Sequence, residues 1–411
     1  MPQITVGVDA GKTSHVAAVS DPAGDRVRGP QRFPVGRAGF ERFGAFVRRA
    51  AGEAATVLVG MEASGHYHLT LAEFLAARGY AVVLVNPYRA AQFRRALGKR
   101  AKTDRLDAQA LARFLAAHAP APEPAADEAL ARLRELTRFR AELTRDRTAA
   151  VNRLHAALDL VFPEFPALFG SLHRPTVLAL LLAYPTAAAL AGATPEAVRA
   201  QLRQASRGRL DSARADALVA AARTSIAVRS AAAAVALKVR ALVRQLTLLN
   251  QELADLDAAI RADFAALGRS PADFPAGGVL TLAARLAEAG DVRRFASAKQ
   301  FVAHFGWCPA DRQSGAFKDA HPRLSKAGNR YVRRLLWMLA VQSVSAHGRP
   351  AYRAYFARRT AAGKNKMDTL VAIGRKLLTT IYAIRKSGRP YDPAYRPACL
   401  RSLSASPLTS V

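Results

Sequence analysis

The sequence predicts an α/β domain followed by a mainly helical remainder: a mixed-sheet N-terminal domain, a helical coiled-coil middle and a mainly helical C-terminal domain. Three observations predict this. Short β-branched runs alternate with helical stretches up to about residue 118, a Pro-rich break APAPEPAAD occupies 119–127, and an apolar heptad runs from Val235 to Ile260.

ITVGVD (4–9) reads as a first strand ending in Asp9 and HVAAVSD (15–21) as a second; a turn at Pro22, Gly24 and Asp25 leads into a third run near Arg26 to Val35. A helix follows over 38–51. TVLVGME (56–62) is a buried-type strand ending in Glu62, 69–78 has helical spacing, AVVLVN (81–86) is another buried strand, and 87–117 is helical and basic. Three antiparallel strands followed by alternating helices and strands give a mixed sheet with helices on its faces. The expected domains are 1–118, 128–268 and 270–395, with a disordered tail at 396–411.

Glu128 to Leu160 reads as one long basic helix. Residues 161–230 are alanine-rich and helical, with turns at Pro163, Pro166, Pro175, Pro185 and Pro195. Val235, Val239, Leu242, Leu246, Leu249, Leu253, Leu256 and Ile260 alternate spacings of four and three, an a/d seam. That seam serves either a coiled coil between protomers or packing within the chain, for which the 128–160 helix is the natural partner. Further on, the sequence predicts a turn at 274–278, helices over 280–289 and 298–305, a loop over 306–324, and helices from about 326–329 to 346 and over 367–385.

The chain has 411 residues, with 61 Lys and Arg against 31 Asp and Glu, a net charge of +30. Such a balance speaks of a polyanionic partner, nucleic acid first, although a GC-rich genome also inflates Arg and Ala. Two cysteines, Cys308 and Cys399, have no metal or disulfide spacing. The N-terminus MPQITVGVDAGK lacks a signal peptide's regions and no apolar stretch is long enough for a membrane span, so a cytoplasmic, non-membrane protein is expected.

Asp9 and Glu62 end two predicted strands, and Asp104 and Asp107, at i and i+3, share a helix face. Carboxylates at neighbouring strand ends converge on one sheet edge, and a helix beside that edge adds two more. Four such groups repel unless cations bridge them, and their hard oxygens suit Mg²⁺ or Mn²⁺, whose paired ions stabilise both oxygens of a phosphodiester displacement. Singly, each acid also has a structural reading: a turn former after a strand, or, for Asp104, the helix cap. Gly11, Lys12 and Thr13 follow the first strand, and His66 and His68 flank Tyr67 beside Glu62, where they can assist a metal site or be structural.

VGVDAGKTSHVAAV, VGMEASGHY and KRAKTDRLDAQALARF resemble the DEDD-type transposases of bacterial insertion sequences, and KTDRLDA is the most specific of these motifs. RFASAKQFVAHFGWCPADRQSGAFKDAHPRLSKAGNRYVRRLLW resembles the same family's second region, so the likeness spans roughly 1–115 and 270–345. FPAGGVLTL (274–282) departs from that family's Pro-Gly-containing hairpin. The resemblance implies an RNase H-like, RuvC-like N-terminal domain. It places the family's metal-binding acids on Asp9, Glu62, Asp104 and Asp107, with Mg²⁺ or Mn²⁺ as cofactor. It also implies DNA transposition and recombination, guidance by an RNA from the element, a dimer or tetramer, and a bacterial cytoplasm with association to the nucleoid.

Ser314, in ADRQSGAFKD, reads from the residues alone as a turn serine. The resemblance implies instead a catalytic serine in this segment and a covalent serine–DNA intermediate. Ser325 is the alternative, better read as a helix N-cap. Two basic clusters are candidate nucleic-acid contacts, or else solvated helix faces. One is Arg94, Arg95, Lys99, Arg100 and Lys102, after Arg89. The other is Arg323, Lys326, Arg330, Arg333 and Arg334, interleaved with Tyr331 and Trp337. Rival readings are a junction resolvase or nuclease using only the acids, and a non-catalytic nucleic-acid-binding protein.

Overall fold

The computed structural model describes residues 3–21, 23, 27–52, 56–63, 65–98, 101, 103–120, 127–209, 212–308, 313–314, 317–318, 324–325, 328 and 330–392. The tail at 396–411 lies outside them. The chain forms two compact units, Met1–Ala126 and Asp127–Val411.

In the first unit β1 (Gln3–Ala10), β2 (Ser14–Ser20) and β3 (Val27–Pro34) form an antiparallel meander. Then come α1 (Arg37–Ala51), β4 (Thr56–Glu62), α2 (Leu69–Ala76), β5 (Ala81–Val85), α3 (Pro87–Ala96) and α4 (Asp104–His118). The sheet order is β3-β2-β1-β4-β5, with β4 parallel to both β1 and β5. Central β1 is covered on both faces, which is why VGV carries no polar alternation. Val6 and Val8 join Phe40, Phe43, Val47, Leu71 and Leu75 on one side. On the other, Leu58, Val83 and Val85 pack on Leu111, Phe114 and Leu115 of α4.

Gly7 decides how α4 sits. A Cβ there would overlap backbone atoms of Ala108 and Ala112, so the helix backbone rests directly on the strand. Thr5, on the same face, donates its hydroxyl to the Ala112 carbonyl at 2.9 Å. Gly60 of β4 likewise leaves room for Leu115.

The second unit opens with α5 (Glu128–Val161), capped by Asp127, whose carboxylate accepts from the Leu130 amide at 3.2 Å. Short helices α6 (Phe165–Leu168), α7 (Pro175–Ala183), α8 (Ala187–Ala191), α9 (Pro195–Ser206) and α10 (Ser212–Arg223) follow, then α11 (Ala232–Ala266). Pro166, Pro175 and Pro195 each sit at a helix start, where the missing N–H costs nothing. α11 runs antiparallel to α5: Arg132 pairs with Asp263 at 2.7 Å, and Arg140, further along α5, with the earlier Asp257. Val239, Leu242, Leu246, Leu249, Leu253 and Ile260 of the heptad seam are buried within the chain, while Leu237 and Leu248 face outward.

The remainder comprises α12 (Val279–Ala289), α13 (Ala298–His304), strands β6 (Gln313–Ser314) and β7 (Phe317–Lys318), α14 (Arg330–Val344), α15 (Pro350–Ala361) and α16 (Lys366–Ser387). Leu130 and Leu133 of α5 and Ile260 and Phe264 of α11 share a core with Leu282, Leu286 and Ile381, so the long helices and the last helices form one body. The Trp307 indole donates to the Val371 carbonyl at 2.8 Å and packs where Gly374 leaves space.

Three expectations change. The stretch 306–324 contains the β6–β7 pairing rather than loop alone. α15 was not foreseen, because only Tyr352 of its side chains is buried and its basic surface hides the helical period. Ser325 does not cap the next helix, which starts at Arg330; its amide donates to the Cys308 carbonyl at 2.9 Å. Among the described residues no helix is long and apolar enough to cross a membrane.

Candidate active site

Asp9 lies one residue before the end of β1, and Glu62 is the last residue of β4. The parallel register pairs Gly7 with Gly60 and Val8 with Met61, so Asp9 and Glu62 follow one step on, side by side at the carboxyl edge. Side chains alternate across a strand. Gly7 and Gly60 face α4, and therefore so do Asp9 and Glu62.

α4 brings the other two acids. Thr103 caps it, its hydroxyl accepting from the Leu106 amide at 3.2 Å. Asp104 is thus the first helical residue rather than the cap, and the capping reading of it falls. Asp104 and Asp107 both lie in the first turn, where the helix dipole favours negative charge. With Ala108 and Ala112 seated on Gly7, this turn extends toward the strand ends.

All four acids line one cavity of about 420 Å³, together with Thr103 and Arg94. α3 supplies the opposite wall; Asn86 caps it, accepting from the Tyr88 amide at 2.8 Å, and Pro87, Ala90 and Ala91 face the cavity. Arg94 donates to Asp107 at 2.6 Å in a mostly buried pair. Arg32 of β3 donates to Asp104 at 2.9 Å and to the Ser14 hydroxyl at 2.6 Å. Arg32 had no signal in the sequence, because it meets Asp104 only through the sheet.

An all-carboxylate donor set is of the kind that hard divalent cations take. Among the described residues no three His, Cys, Asp or Glu side chains are drawn together into a cluster that could hold an ion. Two of the four acids are turned to arginines instead. The chemistry of the set fits a divalent ion, and the ion-pairing shows which contacts such an ion would compete with.

The histidines separate from this site. His66 is exposed and its ring lies tilted against Tyr67, ring centres 4.5 Å apart. His68 is buried, which with the charge of His66 lowers its pKa. His15 is buried against Phe40, and burial lowers its pKa too.

Of the basic candidates, Arg94 reaches the cavity and Arg95 is exposed; Lys99, Arg100, Lys102, Arg323 and Lys326 lie outside the described residues. Arg330 and Arg334 are exposed, and Arg333 donates to the Gly328 carbonyl. The interleaved aromatics do not join them on a free face. Trp337 packs against the core, and the Tyr331 hydroxyl donates to the Thr137 carbonyl at 3.0 Å. The backbone of Ser314 pairs with Phe317; its side chain lies outside what is described.

Fold and cavity define a class: a strongly basic chain whose mixed-sheet unit gathers carboxylates at a strand-end edge and whose second unit is helical. Comparison with known proteins narrows it. Residues 6–163 match the DEDD-type, IS110 family model described as Transposase, and residues 272–357 match that of the Transposase IS116/IS110/IS902 family. The chain is 30% identical over 403 residues to the insertion element IS900 uncharacterized 42 kDa protein of Mycobacterium paratuberculosis, covering 95% of this chain and 98% of that one. It is 27% identical over 398 residues to the insertion element IS116 uncharacterized 44.8 kDa protein of Streptomyces clavuligerus, covering 95% and 97%. A shorter stretch of 122 residues is 35% identical to the pilin gene-inverting protein of Moraxella bovis, covering 29% of this chain and 37% of that one. The chain belongs to the IS116/IS110/IS902 family of transposases, and it is a DNA transposase or recombinase enzyme.

Proposed function

We propose that this enzyme cuts and rejoins DNA to move an insertion sequence, with Asp9, Glu62, Asp104 and Asp107 holding Mg²⁺ or Mn²⁺ and Ser314 as nucleophile. The observation that carries the reading is that all four acids line one cavity, two from adjacent strand ends and two from the first turn of α4. The mixed sheet, with α4 packed flat on its central strands, supports the RNase H-like reading of this domain. Bound divalent ions would neutralise the phosphate and stabilise attacking and leaving oxygens.

The chain's own residues do the rest. The four carboxylates set where that charge sits. Arg32 and Arg94 hold Asp104 and Asp107 in place from the outer strand and from α3. The Ser314 hydroxyl attacks phosphorus as one bridging P–O bond breaks, and the proton it loses is balanced by the one gained by the departing DNA oxygen, which leaves as a hydroxyl. Attack by another DNA hydroxyl on the phosphoserine rejoins the strand and restores the serine. The charge of +30 supports nucleic acid as the partner; a guide RNA and a dimer or tetramer rest on the family resemblance alone.

The test is a cleavage and strand-transfer assay on element-end DNA, with and without co-purified RNA. Asp9→Asn and Asp104→Asn should lower the divalent-dependent rate at least about a hundredfold while keeping wild-type melting. Ser314→Ala should abolish a denaturant-resistant protein–DNA adduct. Cleavage that persists in Ser314→Ala favours a nuclease using the acids alone, and full activity in the Asp variants overturns the metal reading.

A further inference from the structure

We propose that a second, oppositely charged cavity, in the helical stretch of the second unit, binds the phosphodiester backbone of nucleic acid. It measures about 480 Å³ and is framed by the end of α6, the start of α7 and the turn that follows α9. Four arginines line it, Arg174, Arg207, Arg209 and Arg214, and none of the described lining residues is acidic. All four are exposed. The described lining of the first unit's cavity has the reverse composition, four carboxylates and one arginine.

The frame is built rather than incidental. Thr176, in the first turn of α7, donates its hydroxyl to the Ala205 carbonyl at 3.0 Å, tying that helix to the end of α9. Arg214 donates one guanidinium nitrogen to the Leu168 carbonyl at 2.8 Å, which sets its position at the rim. No side chain caps α7: its N-cap residue is Arg174 itself, and Pro175 follows. The positive end of the helix dipole is therefore presented beside four guanidinium groups, and both features favour an anion. Forked guanidinium donors match phosphate oxygens in pairs. The space exceeds what a lone phosphate needs and suits a nucleotide unit of a longer chain.

The environment carries further positive charge. Burial, and after it the charges of Arg147 and Arg174, lower the pKa of His173 beside the cavity's edge. Guanidinium groups lining one cavity repel one another; phosphates neutralise that charge, and the nucleic acid releases condensed counterions as it binds. Contacts of this kind hold a backbone in register without reading its sequence. The site uses neither the acids nor Ser314, so it stands or falls apart from the catalytic proposal.

The experiment is fluorescence anisotropy of the full-length protein with labelled duplex DNA and, separately, structured RNA, each across a salt titration. The triple variant Arg174→Gln, Arg207→Gln, Arg209→Gln spares Arg214, which braces the fold. We expect it to bind at least one probe about tenfold more weakly at low salt, and the slope of log K against log salt to become shallower by about 2 to 3, at roughly 0.7 to 0.9 for each of three lost phosphate contacts. The triple Lys variant at the same positions should restore most of that slope. A control triple, Arg42→Gln, Arg48→Gln, Arg49→Gln on α1, removes equal charge elsewhere. Loss on DNA alone, RNA alone or both supports the site and names its occupant. Unchanged slopes on both probes, or an equal loss in the control triple, overturn it. If the Gln triple melts below wild type, the comparison is made between the Lys triple and the single variants Arg174→Gln and Arg207→Gln.

Discussion

Single residues set the first unit's geometry more than its composition does. Gly7 lets α4 lie directly on β1, and Asp104 and Asp107 reach the strand ends because of that contact. Gly7→Ala should therefore destabilise the protein by about 1–3 kcal/mol, the usual cost of overpacking, read as a lower urea midpoint. It should also weaken activity by moving the acids; an unchanged midpoint would show that α4 does not bear on Gly7. His15 gives a pH prediction. Burial lowers its folded pKa below the ordinary 6.5, so the folded ring stays neutral where the unfolded ring takes a proton. Above pH 6.5 it contributes no pH dependence. As pH falls through 6.5 toward the lower folded pKa, the unfolded state binds the extra proton and stability drops. His68 acts in the same direction. Melting curves of His15→Phe between pH 7 and about pH 5 should fall less steeply than those of wild type; parallel curves would remove His15 from the acid response.

At the scale of elements, the long helices act through side-chain clamps at their flanks. Arg138 of α5 makes two hydrogen bonds to Glu288 of α12, at 2.6 and 2.9 Å. Glu288 is buried, and the Glu288 bond is also what raises the Arg138 pKa most. Arg134 adds two donations to the neighbouring Ala287 carbonyl, at 3.0 and 2.8 Å. Removing the ionic clamp from a buried carboxylate costs several kcal/mol, but the Arg138 side chain is 48% exposed and water screens part of that. Arg138→Ala should cost about 2 kcal/mol in chemical denaturation. Arg138→Lys should recover only part, since an ammonium cannot reproduce the fork. A loss no larger than that of an ordinary surface substitution would mean that the α5–α12 contact rests on its apolar core alone.

At the scale of the whole molecule, the excess positive charge should dominate nucleic-acid affinity. With +30 net charge and several exposed arginine clusters, binding to DNA should fall about a thousandfold between roughly 50 and 200 mM salt. A nearly flat salt response in filter binding would mean that phosphate contacts are few and the charge serves another end. The two units divide the electrostatic labour. The first holds a cavity lined by four carboxylates, and the second a cavity whose described lining has four arginines and no acid.

The elements of the sheet unit, the long helices and the acids at strand ends were legible from residues alone, because β-branched runs, heptad spacing and an i, i+3 acid pair are local patterns. The family was legible from KTDRLDA and its neighbours for the same reason. Convergence of the strand-end acids on one sheet edge was expected as well; that Asp9 and Glu62 lie side by side on the same face was not, since it depends on a parallel register between strands that are about fifty residues apart in the chain. Packing of the heptad seam on α5 was one of two readings the residues left open, and only the fold chose it. Arg32 on Asp104, the helix at 350–361 and the arginine cavity between α7 and α9 were not legible. Each of these joins residues remote in sequence or hides its period under surface charge. Sequence determines which groups are present and which local element each prefers; which groups meet is settled by long-range packing, whose contacts leave no period in the chain.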